Sequence, residues 1–96
     1  MSGDKKNINE NNETELMELG KFYFLNNKYD EAIAEFKKVI VMNPNNAEAY
    51  YNIGLIKETN NDFDGAKKMY IKALNIDESY KSARERLNKL IGLEDE

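Results

Sequence analysis

Apolar residues recur along this chain at the spacing of helix faces, and the same succession of faces is written twice. From Glu13 onward, Leu16, Leu19, Gly20 and Tyr23 stand at i, i+3, i+4 and i+7, which predicts one face of an α-helix. Asn26-Asn27-Lys28 ends it, since Asn tolerates the left-handed conformation of a helix C-terminus. A second helix is expected from about Asp30-Glu31, where carboxylates complement the positive end of the helix dipole, with Ala32, Phe36, Val39 and Ile40 as its inner stripe. Pro44 stops that helix by pushing Asn43 out of the helical region, and Asn45 and Asn46 are natural N-caps for a third helix.

The plan then repeats. Gly54 falls 34 positions after Gly20, Ile53 after Leu19, Asp64 after Asp30, Ala66 after Ala32, Tyr70 after Phe36 and Leu74 after Ile40. Gly20 costs about 1 kcal/mol against Ala inside a helix. Its return at Gly54 on the same face predicts close approach of a neighbouring helix. Asp77-Glu78 stands where the first unit has Asn43-Pro44; without Pro, this break is expected to be weaker, letting the chain run almost straight into the last helix. That helix carries Tyr80, Ala83, Leu87, Leu90 and Ile91 on one side and mostly charged residues on the rest, the form of a solenoid cap. The expected fold is all-α, a helix–turn–helix repeat solenoid of five helices. Its divisions are a disordered lead-in over 1–12, units over 13–46 and 47–80, a capping helix over 81–93 and an acidic tail over 94–96.

These residues resemble the tetratricopeptide repeat (TPR) family. The second unit matches the family pattern at Tyr50, Ile53, Gly54, Ala66, Tyr70 and Ala73, and the first at Leu19, Gly20, Tyr23, Ala32, Phe36 and Pro44. The second departs from it at Lys57 and Glu78, where an aromatic residue and Pro are usual. The resemblance implies a concave groove, lined by the first helices of successive units, that holds an extended peptide or a partner helix. Mapped onto this chain, the groove is lined by Met17, Lys21, Phe24, Tyr51, Asn52, Leu55 and Glu58, continued by Arg86 and Lys89. Met17, Lys21 and Phe24 share one helical spacing, and Tyr51, Leu55 and Glu58 repeat it. The mixed lining favours a protein partner with apolar anchors and an acidic group, the acid meeting Lys21, Arg86 and Lys89. A subclass of the family clamps a C-terminal carboxylate with five side chains, and only Asn52 and Arg86 fit that set, with Met17, Lys21 and Ser82 at the other places.

Composition narrows the alternatives. The chain has 96 residues, 41% hydrophobic and 33% charged, which suits one small domain with a modest core. It has no Cys and no His, so a thiol nucleophile and the commonest general base and metal ligand are missing. No glycine-rich phosphate loop is written, and neither an enzyme nor a cofactor is expected. Asn60 to Gly65 starts like a calcium loop, yet Ile71 stands where the bidentate Glu is required. The net charge of −4 lends no support to nucleic acid, and no apolar run or leader points to a membrane. The expectation is a cytoplasmic, non-catalytic protein-interaction module. The alternatives are a self-assembling repeat unit or a co-chaperone-like scaffold.

Overall fold

The computed structural model describes residues 12–95, with side chains through residue 92. Five helices succeed one another there: α1 (Glu13–Leu25), α2 (Tyr29–Met42), α3 (Ala47–Thr59), α4 (Phe63–Ile76) and α5 (Lys81–Asp95). No strand occurs among the described residues. The disordered lead-in expected over 1–12 falls almost entirely outside them. The expected acidic tail is taken up in part by α5, which continues to Asp95.

The two hairpins close in the same way. Asn27 and Asn61 carry φ of 62° and 64°, the left-handed position that ends a helix without Gly. In the first turn the Lys28 amide donates to the Tyr23 carbonyl (2.8 Å) and Asn27 to Phe24 (3.0 Å). In the second, Asp62 donates to Lys57 (2.8 Å) and Asn61 to Glu58 (3.0 Å). Side-chain oxygens then start the helices: Asn12 Oδ1 accepts from the Glu15 amide, Asn46 from Ala49 and Asp62 from Gly65. The calcium-like run at Asn60–Gly65 is therefore a turn leading into a helix cap.

The break before α5 is complete, contrary to the expectation of a nearly continuous helix. Asp77 Oδ1 accepts from both the amide and the hydroxyl of Ser79, at 3.1 and 2.8 Å. This local turn does without proline what Pro44 does between the units.

Each unit is held by one aromatic ring seated on one glycine. A Cβ placed on Gly20 would lie 2.5 Å from Phe36 Cε1, and one on Gly54 would lie 2.5 Å from Tyr70 Cε1. Both rings are fully buried, so the glycines create the space in which α1 meets α2 and α3 meets α4. At the same register α5 has Asn88.

The core forms two clusters. The first joins Leu16, Met17, Ala32, Phe36 and Val39 to Ala49, Ile53 and Ile56 of the next unit. The second joins Ala66, Tyr70, Ala73 and Leu74 to Ala83, Leu87 and Leu90 of α5. The apolar face of each hairpin is thus closed by the next helix in the stack. At about 25 cal/mol per Å² of apolar surface, this burial is the main stabilising contribution. Glu13 ties the first unit to the linker: its carboxylate accepts from the side-chain Nδ2 groups of Asn43 (2.8 Å) and Asn46.

Candidate functional site

The first helices of the hairpins are linked side by side by ion pairs. Lys21 of α1 meets Glu48 of α3 at 2.7 Å. Glu58 of α3 takes Arg86 of α5 in a two-point contact, from Nε at 3.1 Å and from Nη2 at 2.9 Å. These pairs define one face that crosses α1, α3 and α5.

The expected groove residues divide over this face and the core. Met17 is only 6% exposed and belongs to the first core cluster, where it packs with Ala49 and Ile53 of the second unit instead of lining an open surface. Phe24 is half-buried against the same cluster, its ring 5.8 Å from that of Tyr29. Asn52 is 7% exposed, and its Nδ2 is buried without a hydrogen-bond partner. Tyr51 is half-buried between Tyr70 and Tyr80, with ring centroids at 5.7 and 5.1 Å. It is part of the packing, so its removal would disturb the fold as well as any contact. Leu55 is half-buried against the second cluster. Lys21 and Lys89 are exposed, and Glu58 and Arg86 are half-buried.

Leu25 was not among the expected groove residues. It stands one turn beyond Lys21 on the same side of α1 and is 82% exposed. Its i+4 spacing from Lys21 was the signal that could have found it.

Electrostatically the face is close to balanced. Burial by itself would raise the Glu58 pKa, but the hydrogen bonds from Arg86 and Tyr70 and the fields of Arg86 and Lys89 outweigh it and hold the carboxyl below its ordinary value. Tyr70 donates its hydroxyl to Glu58 Oε1 at 2.7 Å, and burial together with that acceptor's charge pushes the phenol well up. Arg86 is raised chiefly by its hydrogen bond to Glu58. Burial, then the charges of Glu48, Tyr51 and Asp77, pushes Tyr80 up to about 12. Of the three cations expected to meet a partner's acid, Lys21 and Arg86 are already paired within the chain. Lys89 adds its field to Glu58 but closes no ion pair among the described residues.

Two surface hollows lie between α4 and α5. One of about 340 Å³ is lined by Ile71, Leu74, Arg84 and Leu87, and another of about 390 Å³ by Lys68, Ile71, Leu87 and Ile91. No cluster of three or more metal-ligating side chains occurs among the described residues, and no helix among them is long and apolar enough to cross a membrane.

A TPR repeat model matches residues 20–61, and a tetratricopeptide repeat model matches residues 47–80. The chain belongs to the tetratricopeptide repeat family. It is 35% identical over 65 residues to an uncharacterized protein, ycf37, of Guillardia theta, covering 68% of this chain and 36% of that one. The crystal structure of MamA superposes with a TM-score of 0.83 at 22% identity, over 88% of this chain and 50% of MamA. This TPR chain therefore spans about a third of the one relative and half of the other. Its repeats are those of a protein-interaction module.

Proposed function

We propose that this TPR domain receives a helix or extended segment of a partner protein along the face shared by α1, α3 and α5. The observation that carries the reading is the pair of cross-unit contacts, Lys21–Glu48 and Glu58–Arg86, which align the first helices and leave Leu25 open beside them. Exposed aliphatic side chains next to satisfied charges suit a partner that brings apolar anchors and gains little from a long charged stretch. Leu25 and Leu55 form the apolar bed, and Lys89 is the cation left to meet an acidic group.

The test is partner capture by the intact domain, then titration of the identified partner. The double variant Leu25→Asp, Lys89→Glu changes only exposed side chains. It is expected to weaken binding by about tenfold or more, as loss of a hot spot does, with an unchanged melting temperature. Undiminished affinity in that variant would remove the proposal.

Self-assembly is the second reading. It is favoured by the apolar positions left open at the two ends of the stack: Phe22, 58% exposed, at one and Ile71 and Ile91 at the other. Sedimentation at micromolar and millimolar concentrations separates the two, since the first reading requires a monomer at both.

A further inference from the structure

Arg86 is the cation on this face best shaped to bind a carboxylate, because a guanidinium offers a planar fork that matches two oxygens at once. The chain fills that fork itself. Glu58 uses both of its oxygens on Arg86, and one of them also accepts the Tyr70 hydroxyl. The Glu58 side chain is 17% exposed and that of Arg86 is 39% exposed, so solvent reaches the cation more freely than its internal counter-ion. Lys89 adds a second positive charge to the same carboxylate. An acidic group arriving from outside would have to break a two-point contact held in place by three helices, and would come to rest beside an anion.

We propose that Glu58 is a specificity-determining residue: by occupying Arg86 from within, it keeps carboxylate-bearing segments off that guanidinium and leaves the exposed Lys89 as the cation that an acidic group meets. The inference rests on the groove reading only for which side of the molecule a ligand approaches. The first unit supplies the contrast. Phe24 stands at the register of Glu58 and Phe36 at that of Tyr70, so an apolar ring takes the place of the acid there. An internal acid, moreover, acts at a high effective concentration that a free ligand has to exceed.

The experiment uses a capped tetraglutamate peptide and the full chain, with resonances of the Arg86 side chain and the Lys89 amide monitored by NMR at pH 7 and low salt. The wild-type protein is expected to show no saturable shift at Arg86 up to about 10 mM peptide, the weak end of the affinity scale. Glu58→Gln is expected to bind the peptide at least ~10-fold more tightly, with shifts centred on Arg86 and Lys89. A second variant, Glu58→Phe with Tyr70→Phe, copies the first unit's residues and gives the same readout if the Gln variant does not fold. Saturable binding of the peptide at Arg86 in the wild type overturns the proposal. So does a folded variant that gains no affinity or gains it at Lys68 or Lys72. Because the probe is synthetic and the readout local, this result is separate from whether Leu25→Asp, Lys89→Glu abolishes partner capture.

Discussion

The two hairpins are built on one plan and finished with different chemistry. In both, an asparagine in the left-handed conformation turns the chain and a buried ring sits on a glycine. In the first hairpin the ring is Phe36, in one apolar cluster with Met17 and with Phe24 packed against it. In the second the ring is Tyr70, whose hydroxyl leads to Glu58 and from there to Arg86. The seat for the ring is a steric requirement and is met twice in the same manner. What lies beyond the ring edge is free to change, provided that any polar atom placed there finds a partner.

The most severe way to break the comparison is to empty the seats. Phe36→Ala and Tyr70→Ala are each expected to cost about 3–5 kcal/mol, measured by urea unfolding, because each removes a fully buried ring. Filling the seats from the other side comes next. Gly20→Ala and Gly54→Ala improve helix propensity by about 1 kcal/mol, yet force a methyl to within 2.5 Å of a ring carbon. Overpacking of about 1–3 kcal/mol should outweigh the gain in both, and stabilisation of either would show that the rings can shift.

Exchanging the rings sharpens the contrast. Phe36→Tyr places a hydroxyl at the ring edge where Phe24 stands at the register of Glu58 and offers no carboxylate, at an expected cost of about 1–3 kcal/mol. Tyr70→Phe only deprives Glu58 of one of its donors, at about 1 kcal/mol. If the two exchanges cost the same, the polar finish of the second hairpin contributes nothing specific.

The smallest effect is a pH dependence confined to the second hairpin. The folded-state pKa of Glu58 lies below the ordinary value of 4.5. The stability it contributes is therefore complete above the unfolded-state pKa and is lost as the pH falls through the folded value. Amide exchange in α5 should accelerate relative to α1 as the pH falls below the ordinary carboxyl value of 4.5, and Glu58→Gln should abolish that difference.

Much of the fold was legible because the 34-residue period carries both the glycines and the rings that fill them. The break at Asp77 was not, since proline is a strong signal and the Asp77–Ser79 turn a weak one that needs coordinates to be seen. The face was read less well than the fold. Met17 and Phe24 share a helical spacing with Lys21, but spacing gives only the angle between side chains. It does not say which of them the neighbouring helix covers. The next unit covers Met17, and Leu25, on the far side of Lys21, is left open. The pairing of Glu58 with Arg86 joins residues 28 positions apart, and no period announces it.

Asn88 occupies in α5 the register held by Gly20 and Gly54. A helix packing on α5 as α2 packs on α1 could not bring a phenyl or phenol ring to that point, because the asparagine side chain stands where the ring would go. Anyone lengthening this array with a third hairpin of the same pattern would first have to replace Asn88 with glycine, or choose an incoming helix with a small residue at its centre.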